Sequence, residues 1–264
     1  MPTVLKALLA GKLDGEMTRS PQTVEDLVTS VVLGACSYLP PRAALLPFLS
    51  EARTDDGQRL RDHLRDVERA TLTFWPEWQA FTHADGTTEG DVAGGEPDAI
   101  VEFLHVDGRR SMLVVEAKVL SGKSSRPSNG PTVTDQLGKY WVHLLALARG
   151  ASATPLGIVH LTSSVTLPSQ EFTETLTELR AKGVADAPLY WLSWRHFAEC
   201  VPGATDPLLL DVVTLLRDRW MLVQTRMGTW PTTVSRSEPW RFTPSWRWGS
   251  YRAAADWTFE EESP

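Results

Sequence analysis

Glu96-Pro97-Asp98, the run Ala99-Ile100-Val101-Glu102-Phe103-Leu104-His105-Val106, the dipeptide Asp107-Gly108, and Ser111-Met112-Leu113-Val114-Val115 leading into Glu116-Ala117-Lys118 decide how this chain reads. Ala99 to Val106 is rich in strand formers, and Asp-Gly is a strong turn signal between strands. A β-hairpin is therefore predicted between Asp98 and Glu116, its second strand an apolar run. Folding back in this way brings two carboxylates that are eighteen residues apart to adjacent strand ends, with Lys118 beside them. Carboxylates so placed suit a hard divalent cation, which takes oxygen ligands. The lysine ammonium can hold a phosphate oxygen or an attacking water. This is equipment for cutting a phosphodiester.

Pro97-Asp98 followed by Glu116-Ala117-Lys118 resembles the signature of the PD-(D/E)XK nuclease superfamily, the restriction-endonuclease-like fold. Only six of the 26 basic residues are lysine, so the lysine at 118 is a departure from the chain's arginine habit. Arginine, with its higher pKa and rigid fork, would serve differently there. In the next predicted helix, Gln136-Leu137-Gly138-Lys139-Tyr140 is similar to the Gln-x-x-x-Tyr motif of RecB-like members. The resemblance implies an α/β fold with an αβββαβ core, a mixed central sheet flanked by helices, over roughly residues 20 to 225. It implies Mg²⁺ or Mn²⁺ as cofactor, bound by Asp98, Glu116 and the carbonyl of Ala117, with Lys118 orienting or activating a water. It also implies a glutamate from the first helix in the metal shell, for which Glu25 is the candidate. DNA is the implied substrate, and bacterial phage defence, restriction or repair are implied settings by analogy alone.

The rest of the chain bounds these expectations. At 264 residues and 29.3 kDa it can bury a sizeable core. A hydrophobic fraction of 42% with 22% charged residues is ordinary for a globular protein. No apolar run approaches the roughly 18 residues that a membrane helix needs, and Val4 to Ala10 is too short and mixed for a signal peptide. Cys36 and Cys200 make neither a metal pattern nor a disulfide framework, which points to a reducing, cytoplasmic setting. The net charge of −7 argues against a general nucleic-acid coat protein, since such proteins carry a basic surplus. It is compatible with an acidic metal site and with a protein partner that supplies targeting or ATPase activity. The histidines form no ligand spacing.

Along the chain, Thr23 is expected to cap a helix with Asp26 in a capping box, and Val24, Leu27, Val28, Val31, Ala35 and Tyr38 to form its apolar stripe. A second helix is expected over Gln58 to Ala70, a strand over Leu72 to Phe81 that Pro76 interrupts, a loop from His83 to Gly95, and a mobile surface loop from Ser121 to Pro131. Then come a helix over Thr134 to Arg149, a strand over Pro155 to Thr162, a helix over Ser169 to Ala181, a strand over Pro188 to Trp194 and a helix over Leu208 to Val223. Residues 226–264 form a C-terminal extension with five of the 11 tryptophans, interleaved with arginines. It can stack on unpaired bases, cover a sheet edge or dock a partner.

Each candidate has a plain structural reading beside the functional one. Asp98 can be a turn residue and Glu116 with Lys118 an exposed strand-edge pair. Glu25 complements the helix dipole wherever it points. Gln136 and Tyr140 share a helix face, where they can touch a nucleic-acid backbone, brace the metal ligands, or pack in the core. Lys123, Arg126 and Lys139 are candidate phosphate contacts or ordinary surface charge. For the whole chain the alternatives are a catalytically silent nuclease-like docking subunit and an RNA-cutting toxin-like nuclease.

Overall fold

The computed structural model of the chain describes residues 21–84, 89–119, 121–201, 205–218 and 222. The expected C-terminal extension, 226–264, lies outside the described residues. The described elements are α1 (Pro21–Cys36), a 3-10 turn (Pro41–Ala43), α2 (Leu45–Leu49), α3 (Arg61–Leu64), β1 (Val67–Phe74), β2 (Phe81–Ala84), β3 (Glu89–Val92), β4 (Ala99–His105), β5 (Arg110–Ala117), α4 (Gln136–Gly150), β6 (Thr154–Thr162), α5 (Ser169–Ala181), β7 (Leu189–Ser193), α6 (His196–Cys200) and α7 (Pro207–Asp218).

Five strands form one mixed sheet in the order β1-β4-β5-β6-β7. β1, β4 and β5 pair antiparallel, and β5, β6 and β7 pair parallel. Apolar side chains alternate along the strands, and the two sets build two separate cores. Val101, Leu113, Val115, Val159 and Leu161 join Val28, Val32, Phe48, Phe197 and Leu216 on the face covered by α1, α2, α6 and α7. Ile100, Met112, Val114 and Ile158 join Leu137, Tyr140, Leu144, Phe172 and Leu179 on the face covered by α4 and α5. A sheet buried on both faces explains why β5 reads as an unbroken apolar run. Cys36 is buried in the first core, where burial pushes its thiol pKa up to about 12.

One break in this alternation has consequences for the site. Leu156 and Ile158 are two residues apart yet lie in opposite cores. The β5–β6 register shifts there, and Gly157 adopts φ 129°. This is a β-bulge, which inserts one residue and re-aims every side chain beyond it. A Cβ at Gly157 would lie 2.2 Å from the Pro188 carbonyl oxygen, so only glycine fits.

Several expectations are corrected. α1 begins at Pro21, so Thr23 lies inside the helix rather than capping it. Tyr38 falls beyond the helix and is 53% exposed. The helix expected over Gln58 to Ala70 is replaced by one turn, α3, and by β1. Leu60, Leu64 and Val67 have helical spacing and are all buried, but from Val67 onward pairing with β4 decides the conformation. β1 stops at Phe74, where Trp75 turns left-handed at φ 48° before Pro76. The expected loop from His83 to Gly95 contains β3 and the end of β2, which pair as a two-stranded antiparallel sheet. Among the described residues, no helix is long and apolar enough to cross a membrane.

The stretch from Ser121 to Pro131, expected as a mobile loop, is pinned at several points. Ser121 bonds Glu25, the Ser124 amide donates to Gln136 Oε1, Ser125 Oγ donates to the Thr134 carbonyl, and the Ser128 amide donates to Glu178. The buried Glu178 also accepts from the amides of Thr134 and Asp135 and from Lys182.

Candidate active site

On the β4–β5 ladder Ala99 lies opposite Val115, so the next pair outward is Asp98 and Glu116. Ile100 and Val114 point to the α4 face, and the period of two puts Asp98, Glu116 and Lys118 on that face as well. The hairpin thus does what its sequence suggests. Asp98 Oδ2 accepts the Ala117 amide at 2.8 Å, which ties the two strand ends together. Lys118 Nζ lies 2.7 Å from Glu116 Oε1 and 3.8 Å from Glu25 Oε2. Asp98, Glu116 and Lys118 are 8%, 2% and 9% exposed, so the cluster is buried rather than an exposed strand-edge pair.

Glu25 reaches the site from α1. Its Oε1 accepts the Val119 and Ser121 amides and the Ser121 hydroxyl, so it anchors the chain leaving β5. Gln136, the first residue of α4, donates Nε2 to Glu116 Oε1 at 2.6 Å and lies 3.5 Å from the Tyr140 hydroxyl. The Tyr140 hydroxyl donates to the Glu96 carbonyl at 3.0 Å. Both side chains are buried: Gln136 braces Glu116 from the layer behind, and the Tyr140 ring packs in the second core. Gln136 is itself fixed, because Asp135 caps α4 by accepting the Leu137 and Gly138 amides.

The candidate phosphate contacts separate. Lys123 is spent inside the protein: its side chain is 2% exposed, and Nζ bonds Asp135 Oδ2 at 2.6 Å, the Glu171 carbonyl and Thr175 Oγ1. It leaves no face for a phosphate. Arg126 is exposed on the same loop, where its carbonyl accepts the Thr134 hydroxyl. Lys139 lies beside the site, with Nζ 5.3 Å from the Tyr140 ring centroid, and its partial burial lowers its pKa.

Charge is unbalanced at this end of the sheet. Burial, then the charge of Glu116, pushes the Asp98 carboxyl well above the usual carboxylate range. Burial also raises Glu116, against the pull of Lys118. For Lys118, burial opposes the charged form, but Glu116, Asp98 and Glu25 outweigh it and its pKa is raised. Asp26 adds a further negative charge near Asp98. Sequence reading took Asp26 only as a capping acid; its position next to Glu25 was the available signal.

A divalent cation fits these residues. Glu116 Oε2 is buried with no hydrogen-bond partner, and at this end of the sheet Glu25, Asp26, Asp98 and Glu116 outnumber Lys118. Among the described residues no three histidine, cysteine or acidic side chains are grouped to hold a metal ion by themselves. A cation here would therefore draw on a backbone carbonyl and water, as Mg²⁺ commonly does.

Comparison of the chain with protein-family models, with curated proteins and with solved structures found no match.

Proposed function

We propose that this protein is a divalent-metal-dependent nuclease of the PD-(D/E)XK type, hydrolysing phosphodiester bonds in DNA. The observation that carries this reading is the meeting of Asp98, Glu116 and Lys118 at one buried sheet end, with Gln136 donating to Glu116. The five-stranded mixed sheet flanked by helices supports this reading, with the short helices α2 and α3 before β1 and the strands β2 and β3 before β4 as additions to the αβββαβ order that the resemblance implies.

Asp98, Glu116 and the Ala117 carbonyl would hold Mg²⁺ or Mn²⁺, which when bound neutralises phosphate charge and lowers the pKa of water. Lys118 remains protonated and is aimed by its bond to Glu116, where its ammonium can take charge developing on a phosphate oxygen. Gln136 holds Glu116 in one orientation, and Glu25 fixes the chain that carries Lys118. Burial limits water at the site and strengthens each of these interactions. Because the chain carries a net charge of −7, DNA binding by the chain alone is weak, and a partner protein supplies targeting or motor activity.

The test is a panel of plasmid, linear duplex, single-stranded DNA and RNA, incubated with Mg²⁺, Mn²⁺ or EDTA, with Lys118→Ala in parallel. Metal-dependent cutting of DNA that disappears in the variant is the expected result. Cutting confined to RNA would reassign the substrate, and cutting that survives EDTA or the substitution would overturn the mechanism.

A further inference from the structure

β5, β6 and β7 run parallel, so their carboxyl ends lie together. Asp98 reaches the same end because β4 runs antiparallel to β5. Ligands of open α/β sheets bind outside that end. The residues just past the strands are tied to one another there. The Trp194 amide donates to the Thr162 carbonyl at 3.0 Å, and its indole Nε1 donates to the Lys118 carbonyl at 3.2 Å. Ser163 Oγ donates to the Val119 carbonyl at 2.5 Å, and Arg195 Nε folds back over β6 to donate to the Ser163 carbonyl at 3.4 Å. Arg195 is thus held in the row that begins with Lys118.

The cations near this end are of two kinds. Lys118 and Lys123 are held by the buried carboxylates Glu116 and Asp135. Lys139 and Arg195 are half-buried, and among the described residues neither pairs with a carboxylate. Lys139 lies on the β4 side, with Nζ 5.3 Å from the Tyr140 ring centroid. A Cβ at Gly95, just before Glu96-Pro97-Asp98, would lie 3.0 Å from its Cε and 3.2 Å from its Nζ, so bare backbone makes its seat. Taking a cation partly out of water without a counter-charge costs free energy, and an anion arriving from outside the chain recovers it. Phosphate suits both a lysine point charge and a planar arginine fork. From β5 to β7 is two strand spacings, about 10 Å. That equals about three nucleotide rises of one DNA strand at ~3.4 Å each.

We propose that Lys139 and Arg195 are phosphate contacts on either side of the Asp98–Glu116–Lys118 cluster, so that one DNA strand runs across the carboxyl end of the sheet from β4 to β7. The choice of DNA as the ligand rests on the nuclease reading. Arg195 enters the site through the pairing of β6 with β7, which its place in the sequence does not reveal. Its competing role is structural, tying the end of β7 to β6 through the Ser163 carbonyl.

The salt dependence of binding by the full chain separates the two. It is read by fluorescence anisotropy of labelled duplex and single-stranded DNA oligonucleotides over a series of KCl concentrations, in EDTA so that nothing is cut. The logarithm of the binding constant falls with that of salt by about 0.9 per phosphate contact on duplex and about 0.7 on a single strand. Arg195→Gln and Lys139→Gln, each shown to be folded by its melting curve, should each flatten the slope by that amount, and the double variant by twice as much. Arg195→Lys, which keeps the charge, should hold the wild-type slope, as should Arg149→Gln in the last turn of α4. An Arg195→Gln or Lys139→Gln protein with the wild-type slope overturns the proposal, and a lowered melting temperature beside it assigns Arg195 the structural role. Equal flattening by Arg149→Gln, or a wild type that binds neither oligonucleotide, overturns it as well. Cleavage assays tell this failure from that of the nuclease reading. A wild type that cuts DNA, with slopes unchanged in the variants, loses only the strand path. A wild type that binds with the expected slopes and cuts nothing keeps the path and loses the nuclease.

Discussion

Burial and the neighbouring Glu116 charge raise the Asp98 carboxyl well above its ordinary value, and linkage turns that shift into a pH dependence. Above about pH 4 the unfolded chain loses this proton while the folded chain keeps it. Stability from this group therefore falls as pH rises, until the folded-state pKa is passed. Asp98→Asn removes the ionisable group and can still accept the Ala117 amide. In metal-free buffer the variant should melt higher than wild type at neutral pH, with the difference closing near pH 4; an equal or lower melting temperature at neutral pH would contradict this origin of the shift. Lys118→Ala should act in the opposite direction. It leaves buried Glu116 without its ammonium, and breaking a buried pair destabilises by about 3–5 kcal/mol, measurable by urea unfolding. In kcat, loss of a group of this kind is expected to cost about 10²–10³. Asp98, Glu116, Lys118 and Gln136 were legible in the sequence because strand period, turn chemistry and helix spacing relate them locally. Asp26 was not, because its nearness to Asp98 comes from the packing of α1, which is distant in sequence.

The elements divide in the same way. The β4–β5 hairpin, α4, β6, α5 and β7 follow from their own periodicity and breakers, and α5 has the bounds its sequence suggests. β1 did not, because Leu60, Leu64 and Val67 mimic a helical stripe while β4 supplies the partner that makes a strand. β2 and β3 were hidden in a polar segment, although Asp85-Gly86 between them is the same turn dipeptide found in the main hairpin. The segment from Ser121 to Pro131 has a loop's composition, and its order comes from Glu178 and Asp135, carboxylates far from it in sequence. Lys123 is accordingly a clamp. Lys123→Met should lower unfolding stability by about 3–5 kcal/mol and leave the salt dependence of DNA binding unchanged; a normal stability with a shallower salt slope would restore it as a phosphate contact. Gly157→Ala strains a left-handed position and meets the Pro188 carbonyl. Its destabilisation should exceed the 1–3 kcal/mol typical of backbone strain alone, read from the urea midpoint.

At the scale of the whole molecule, two cores on either side of one mixed sheet hold a patch of acidic charge and one ammonium at the end of β5. A ligand that binds only the folded state raises its stability by mass action, about 2.7 kcal/mol at a hundred times Kd. Mg²⁺ or Mn²⁺ should therefore raise the melting temperature of wild type and leave Asp98→Asn unmoved. The helix-flanked sheet was legible from the alternation of elements, whereas the register that puts Asp98 opposite Glu116 becomes visible only once β4 and β5 are paired. The most direct test of the site is the rate of duplex DNA cleavage by purified wild type and Glu116→Gln at saturating Mn²⁺, each with an EDTA control. Metal-dependent cleavage by wild type that is lost in Glu116→Gln is the expected result. Equal rates in the two proteins, or wild-type cleavage unaffected by EDTA, would contradict a nuclease centred on Asp98, Glu116 and Lys118.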